Sequence, residues 1–269
     1  MKPESLNQTL KMMWKNYLQL NPDAQNIYQL FAERNSKLIN DHIALRTFDL
    51  PQIDLHRIAT PFINAGYVTA GEYHFPQKKL FAQHFQHPDP TQPKLFISQL
   101  LTGQFSTSLQ GIVRQLTAHI DASEPLLKEF CYSGCHWPIQ YSVYRQLEQE
   151  SEYAAWVYAM GFQPNHFTLL INALKSHPDL NAVNRFLIAQ GYTLNDSGGQ
   201  IKGGPSDLLE QSSTLANLIP IEFEEGIYNV PGCYYEFAYR YPQADGSLFH
   251  GFVAESADKI FQSTDRQRG

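Results

Sequence analysis

The stretch DHIALRTF at residues 41–48 gives the clearest indication of the fold, because a related stretch, NHFTLLIN at residues 165–172, occurs in the second half of the chain. Each places a histidine ahead of a short run of apolar and β-branched residues, which is the pattern of a buried β-strand. A helical pattern follows each run and ends at a glycine, Gly66 in the first half and Gly191 in the second. Further short strand patterns come after both glycines. The sequence therefore predicts an internal repeat of strand, helix and three strands, unless the likeness of the two halves is a coincidence.

The predicted fold class is α+β, with two modules at about residues 41–121 and 162–255 inside a single domain that spans residues 1–269. Neither module could close a curved sheet alone, so the two are expected to combine into one sheet with flanking helices. Strands are predicted at 41–48, 67–73, 78–86, 94–101, 162–172, 192–202, 207–214, 219–224 and 233–240. Helices are predicted at 5–20, from a cap at Asp23 onward, and at 52–66, 106–120, 144–160 and 178–191, with 122–142 as a linker.

The composition argues against several classes of protein. The formal net charge of −6 is spread along the chain, without the Lys/Arg runs that bind nucleic acid. No segment has the roughly 18 consecutive apolar residues of a membrane span, and the N-terminal segment lacks the apolar core of a secretory signal. The 3 cysteines are too few, and odd in number, for a disulfide framework. We therefore expect a cytoplasmic protein that binds neither nucleic acid nor a membrane.

Three residues of the predicted strands are candidates for a metal site, namely His42, His166 and Glu236. Side chains at alternate positions of a strand share one face, so His42 points the same way as Arg46, and Glu236 the same way as Arg240. If the strands of the two modules pair, both imidazoles and the carboxylate converge. Two histidines and one carboxylate leave coordination positions of a divalent metal open, as in non-haem Fe(II) oxygenases.

Each of these residues also has a purely structural explanation. A histidine can be hydrogen-bonded in the core or lie on the surface, and the chain has 10 of them. Glu236 stands in an apolar strand, where a buried carboxylate needs either a metal or a salt bridge. Arg46 could form an ion pair with an unrelated acid.

Two other groups of potential ligands are weaker candidates. Cys131 and Cys135 have the spacing of half a zinc site, but no second pair with ligand spacing follows them. His74, His84 and His87 lie in a charged, proline-adjacent stretch, and we interpret them as mostly solvated.

The repeat also indicates how many metals the chain holds. At the position that Glu236 occupies in the second module, we interpret the first module as having Gln99. An amide is a poor metal ligand, so only one half of the repeat supplies a carboxylate. One divalent metal per chain is therefore expected.

Long blocks of sequence follow one another in a fixed order along the chain. These blocks are DHIALRTF (41–48), YHFPQKKLFAQHF (73–85), KLFISQL (94–100), YAAWVYAMGFQPNHFTLLIN (153–172), GGQIKGGP (198–205), LLEQSSTLA (208–216) and VPGCYYEFAYR (230–240). In these blocks, which extend over most of its length, the chain resembles the DUF1338 family, which is associated with 2-oxoadipate dioxygenase/decarboxylase.

The resemblance implies a vicinal-oxygen-chelate-like fold of repeated βαβββ modules. It implies metal ligands at His42, His166 and Glu236, and it implies that Arg46 binds the distal carboxylate of the substrate. The implied cofactor is Fe(II), although Zn or Ni could occupy the site in a purified sample. The implied reaction, in lysine breakdown, converts 2-oxoadipate and O₂ to 2-hydroxyglutarate and CO₂. Family members are expected to carry extra C-terminal structure at the substrate pocket, whereas this chain ends soon after GFVAESADKIF at 251–261.

Three functions remain compatible with these observations. The main hypothesis is an Fe(II)-dependent dioxygenase/decarboxylase that acts on a small 2-oxo dicarboxylic acid with O₂. The first alternative is a metal-dependent isomerase, lyase or hydrolase, since one fold supports several chemistries. The second alternative is a non-catalytic metal- or ligand-binding protein. Consumption of O₂ with a 2-oxo diacid separates the first from the other two.

Overall fold

The computed structural model describes residues 3–123, 126 and 128–264, and within them eight strands form one curved sheet. The first module contributes β1 (Asn40–Phe48), α3 (Leu55–Ile63), β2 (Val68–Phe75), β3 (Leu80–Gln86) and β4 (Lys94–Leu100). The second contributes β5 (Pro164–Leu170), α7 (Leu180–Ala189), β6 (Lys202–Gly204), β7 (Leu209–Ser213) and β10 (Tyr234–Arg240). Two βαβββ modules in one curved sheet confirm the predicted α+β fold. The extent of the single domain over residues 1–269 stays a prediction.

The strand order is β2-β3-β4-β1-β5-β10-β7-β6, so the first strand of each module lies at the centre. β1 and β5 pair antiparallel. β1 also pairs parallel with β4, and β5 pairs parallel with β10. The two modules are therefore related by an approximate twofold arrangement, which brings their equivalent strands together in the middle of the sheet.

The two faces of the central strands carry different residues. Phe167 and Tyr235 are buried on the face that packs against helix α1 (Pro3–Leu20), where the ring of Trp14 lies 4.9 Å from that of Phe167. Helix α2 (Pro22–Ala32) packs on the same side, against β10. Alternation along the strands directs His166 and Glu236 to the opposite, concave face. The apolar packing on one face thus determines which side chains line the other.

Two of the predicted strands differ from the observed structure. The segment 192–202 is irregular except at its end, because Gly198 and Gly199 both adopt positive φ, which interrupts an extended strand. The segment 219–224 forms β8 (Leu218–Phe223), which pairs with β9 (Gly226–Pro231) in a separate hairpin instead of joining the main sheet.

The predicted helices need three corrections. The helix predicted at 144–160 is two helices, α5 (Tyr141–Glu150) and α6 (Glu152–Met160), because Ser151 ends the first and caps the second by accepting from the amide of Ala154. Helix α2 is capped by Asn21 and not by Asp23. The linker predicted at 122–142 contains a 3₁₀ helix at Lys128–Tyr132 and the start of α5, and part of it lies outside the described residues. The Ser106 cap of α4 (Thr107–Thr117) is confirmed.

The C-terminal part of the described chain covers the concave face. Helix α8 (Ala254–Ile260) contacts β2, β6 and β7, and a 3₁₀ turn at Phe261–Thr264 follows it. None of the helices in the described ranges combines the length and the apolar character that crossing a bilayer requires.

Candidate metal centre

Three potential metal ligands meet on the concave face, each from a different central strand. The Nε2 atoms of His42 and His166 lie 3.4 Å apart. The Glu236 carboxylate lies 3.4 Å from Nε2 of His42 through Oε1, and 3.2 Å from Nε2 of His166 through Oε2. All three side chains are buried, and their ligand atoms lie within 4.8 Å of one another. The structure therefore brings together the three residues predicted from the sequence.

The strand register explains this convergence. Thr168 on β5 lies opposite His42 on β1 and beside Glu236 on β10. These three positions form a row across three adjacent strands, in which neighbouring side chains point to the same face. His166 precedes Thr168 by two residues and shares its face, so its ring completes the cluster.

Both imidazole rings direct Nε2 to the centre of the cluster. Nδ1 of His42 lies 2.7 Å from Oδ1 of Asp41, and Nδ1 of His166 lies 3.3 Å from Oδ1 of Asn165. These oxygens can only accept, so Nδ1 carries a proton in each ring. Burial, followed by the nearby His42 and Arg46, holds the pKa of His166 well below its usual value, so this ring is neutral at physiological pH. A neutral imidazole is the form that binds a metal.

The cluster contains an excess of hydrogen-bond acceptors. The Thr168 hydroxyl lies 3.1 Å from Nε2 of His42, and the Gln211 amide donates to Oε1 of Glu236 at 2.6 Å. Oε2 of Glu236 has no hydrogen-bond donor among the described residues. Burial raises the pKa of Glu236, although His42 and the hydrogen bond from Gln211 act to lower it. Because two ring nitrogens and a carboxylate face each other in a buried site, a divalent cation fits this donor set.

Asp41 and Arg240 support the His42 ligand from outside the cluster. Arg240 donates to the Asp41 carboxylate through Nε at 2.6 Å and through Nη2 at 2.8 Å. Burial alone would raise the pKa of Asp41, but Arg240 and Lys94 outweigh it and hold that pKa well below its usual range. The ionised carboxylate therefore fixes the tautomer and the orientation of His42, as carboxylates behind metal-binding histidines commonly do.

Replacing Asp41 by asparagine is expected to lower the free energy of unfolding by about 3–5 kcal/mol, because Arg240 would keep a buried charge without a counter-ion. Metal affinity should fall by about 10- to 100-fold. Chemical denaturation of the apo-protein and metal titration would measure the two effects. Since the folded-state pKa of Asp41 is depressed, the stability difference should be full above about pH 4, decline as the pH falls below that value, and be lost once the pH passes below the depressed folded-state pKa. The matched control is Asn165→Ala, where the partner of the histidine is uncharged. Equal losses in both variants would argue against a specific role for the Asp41 charge.

Arg46 lies on the same strand as His42, and its side chain is buried among aromatic rings. Its guanidinium carbon lies 5.0 Å from the ring centres of both Tyr153 and Trp156. Its Nη2 donates to the Thr264 hydroxyl at 3.3 Å, whereas Nε and Nη1 have no hydrogen-bond partner among the described residues. No unrelated acid satisfies these two donors, so they remain available to an anionic ligand.

The first-module counterpart of Glu236 differs from the one predicted. The register places Phe96 beside Ala44 on β1, two positions after His42, just as it places Glu236 beside Thr168 on β5, two positions after His166. Phe96 lines the metal centre. The carbonyl oxygen of the Gln99 side chain instead accepts from the backbone amide of Leu55, at the start of α3. Identifying Gln99 as the counterpart was wrong by register, but the expectation that one half lacks a carboxylate remains valid.

The other histidine and cysteine candidates have different outcomes. Among the described residues, the cluster described above is the one group of three or more potential ligands with metal-site geometry, and neither Cys131 nor Cys135 belongs to it. The interpretation of the second histidine group as solvated is wrong for His84, which is buried at β3 with its Nδ1 2.8 Å from the Tyr73 hydroxyl. Burial, aided by Arg240, lowers its pKa to about 3, so it is a neutral core residue.

Several residues of the centre were not identified from the sequence. Gln211 holds one oxygen of Glu236, and Asp41 forms the support described above. Phe252 covers His42, with ring centres 4.8 Å apart. Asp41 had a detectable signal, because it directly precedes a candidate ligand. The sequence contained no such signal for Gln211 and Phe252, because the tertiary structure brings β7 and the C-terminal segment to the site.

The space above the ligands is small. The cavity has a volume of about 20 Å³ and is lined on its outer side by Phe252, Ala257, Ile260 and Phe261. The C-terminal segment of the described chain therefore contributes to the pocket. Water is about the largest molecule that fits this volume, so a larger ligand requires the segment to move.

Comparison with known proteins gives a consistent result. A sequence profile of the 2-oxoadipate dioxygenase/decarboxylase family matches residues 6–133 and 122–247. The chain is 33% identical over 282 residues to the chloroplastic 2-oxoadipate dioxygenase/decarboxylase of Arabidopsis thaliana, covering 94% of this chain and 75% of that protein.

Solved structures show the same likeness in three dimensions. The crystal structure of hydroxyglutarate synthase from Oryza sativa, in complex with 2-oxoadipate, is similar with a TM-score of 0.91 and 32% identity, covering 98% of this chain and 93% of that one. A protein of Shewanella frigidimarina, provisionally described as a hydrolase, has a TM-score of 0.87 and 46% identity, covering 92% and 97% of the two chains.

Proposed function

The chain belongs to the 2-oxoadipate dioxygenase/decarboxylase family, and from this membership we propose that it oxidises 2-oxoadipate, or a close 2-oxo dicarboxylic acid, with O₂. The products are CO₂ and the 2-hydroxy acid that is one carbon shorter, which for 2-oxoadipate is 2-hydroxyglutarate. The observation that carries this proposal is that hydrogen-bond acceptors and donors lie at different places on the concave face. The acceptors converge at His42, and the donors without a partner among the described residues belong to Arg46, further along the same face of β1.

The metal we propose is Fe(II), held by His42, His166 and Glu236. When bound, the metal would supply redox chemistry toward O₂ and a template for the 2-oxo group. Two imidazoles and a carboxylate are the donor set that non-haem iron oxygenases use, and they leave positions open for substrate and O₂.

The residues of this chain position the substrate and exclude water. We propose that Arg46 binds the distal carboxylate, since its planar guanidinium can donate two parallel hydrogen bonds to it. Phe96, Phe252 and Phe261 form apolar walls around the ligands. Apolar walls keep water from the reacting centre and strengthen the electrostatic interactions there. The cytoplasmic location and the role in lysine breakdown stay predictions.

The proposal is tested by anaerobic reconstitution with Fe(II), followed by measurement of O₂ uptake across a panel of 2-oxo acids. We expect uptake with 2-oxoadipate, with equimolar CO₂ and 2-hydroxyglutarate. Lack of O₂ uptake with every 2-oxo acid, from protein that binds one Fe(II) per chain, would overturn the proposed reaction.

Zn²⁺ in place of Fe(II) is expected to bind the same site and to give no turnover, because Zn²⁺ has no redox chemistry. Protein reconstituted with Fe(II) in parallel serves as the control. Calorimetric titration would establish binding, and product analysis would establish turnover.

A second candidate function is hydrolysis, which the description of the Shewanella relative favours. In that reaction a bound metal acts as a Lewis acid and needs no O₂. Full turnover of the Zn²⁺ protein in the absence of O₂ would support this candidate over the oxygenase.

A further inference from the structure

A second buried donor without a hydrogen-bond partner among the described residues lies on the concave face of the sheet. Tyr234 is fully buried, and its hydroxyl makes no hydrogen bond within the described part of the chain. An unsatisfied buried hydroxyl costs about 1–3 kcal/mol, so such groups usually have a specific role.

Tyr234 borders the metal centre. It pairs in register with His166 on the neighbouring strand, and its ring stacks on that imidazole with 4.6 Å between the ring centres. Glu236 lies two residues further along β10, on the same face. His166 in turn lies opposite Ala44, which precedes Arg46 by two residues on the same face of β1, so Tyr234 and Arg46 project from neighbouring positions of the concave face.

Several side chains at or near the metal centre carry polar atoms without a hydrogen-bond partner among the described residues. Those of Glu236 (Oε2) and Gln211 (Oε1) are acceptors and lie at the metal ligands. Nε and Nη1 of Arg46 and the hydroxyl of Tyr234 can donate hydrogen bonds to an anion. A ligand that binds a metal at one end and carries an anionic group at the other matches this division.

We propose that the Tyr234 hydroxyl donates a hydrogen bond to the distal carboxylate of the substrate, beside Arg46, and so helps to select dicarboxylic over monocarboxylic 2-oxo acids. A carboxylate can accept several hydrogen bonds, and the guanidinium satisfies only some of its lone pairs. This inference rests on the proposed function and adds a specificity-determining residue to it.

Tyr235 provides a matched control on the same strand. It is also fully buried, and its hydroxyl likewise has no partner among the described residues. Its side chain lies on the opposite face of β10, where its ring centre is 6.0 Å from that of Trp14. Removing its hydroxyl therefore deletes the same atom from a buried tyrosine but leaves the concave face unchanged.

The test compares Tyr234→Phe with Tyr235→Phe. For Tyr234→Phe we expect KM for 2-oxoadipate to rise by about tenfold or more, which is the scale of one hydrogen bond to a charged group. The KM for 2-oxohexanoate, which lacks the distal carboxylate, should stay within about twofold, and Tyr235→Phe should change neither. Anaerobic calorimetry on Mn²⁺-loaded protein should show the same loss of 2-oxoadipate affinity with unchanged Mn²⁺ stoichiometry.

Other results would overturn the inference. Equal losses for the diacid and the monoacid, or equal losses in both variants, would show that Tyr234 does not read the distal carboxylate. If the hydroxyl instead stabilises the fold, the free energy of unfolding of Tyr234→Phe should fall while the ratio of diacid to monoacid affinity stays unchanged, and the inference is wrong. Should wild-type protein bind 2-oxoadipate without turnover, the proposed reaction fails, and the affinity ratio still decides the role of Tyr234. Should it bind no 2-oxoadipate, both fail.

Discussion

Replacing His42, His166 or Glu236 by alanine is expected to abolish stoichiometric binding of a divalent metal. Each substitution removes one of three protein ligands, and the remaining two cannot compensate because the described residues near the site offer no further histidine or carboxylate within the cluster. We expect metal content to fall from about one ion per chain to less than about a tenth, as measured by elemental analysis after anaerobic loading and dialysis.

The matched control for Glu236 is Glu222, an exposed acid of the β8–β9 hairpin. Glu222→Ala should keep full metal content. Circular dichroism and the free energy of unfolding of each apo-protein would separate loss of ligand from loss of fold. Normal metal content in Glu236→Ala would show that the cluster of three ligands is wrong.

Replacing Arg46 by alanine is expected to leave metal content near normal and to raise KM strongly for 2-oxo diacids. The loss should be about 2–5 kcal/mol if the carboxylate pairs with the guanidinium in a desolvated site. Along a strand, His42 and Arg46 are separated by roughly 13 Å between Cα atoms, at about 3.3 Å per residue, and both side chains point to one face. This spacing suits a substrate that is bound to the metal at one end and to Arg46 at the other.

Arg46→Lys serves as the second variant, because it keeps the positive charge but loses the planar guanidinium. A monocarboxylic 2-oxo acid, with no group for Arg46 to bind, should be affected little by either substitution. Parallel losses of kcat/KM for the diacid and the monoacid, with fold and metal intact, would contradict a role for Arg46 in reading the distal carboxylate. Arg240 is not a substitute for it, since its guanidinium donates to Asp41 and to the carbonyl oxygens of Phe249 and Gly251.

Short runs of apolar and β-branched residues were enough to predict the central strands, and the period of two along a strand predicted which side chains share a face. His42 and His166 were identified from their matching positions in the repeat, and Glu236 was identified as a carboxylate in an apolar strand. The register between strands was harder to predict from the sequence, because strand pairing depends on how the whole sheet packs. For that reason Phe96, and not Gln99, proved to be the counterpart of Glu236.

The two modules, the three potential ligands and the family could be predicted from the sequence, because each depends on residues that lie close together or recur in the same order. The surroundings of those ligands follow from the folded structure and not from local residue patterns. Asp41 and Arg240 are 199 residues apart, yet they form one buried ion pair behind His42. Gln211, Tyr234 and the segment from Phe252 to Phe261 reach the site from separate parts of the chain. Contacts between segments that lie far apart in the sequence depend on tertiary packing, so local patterns of residues do not predict them.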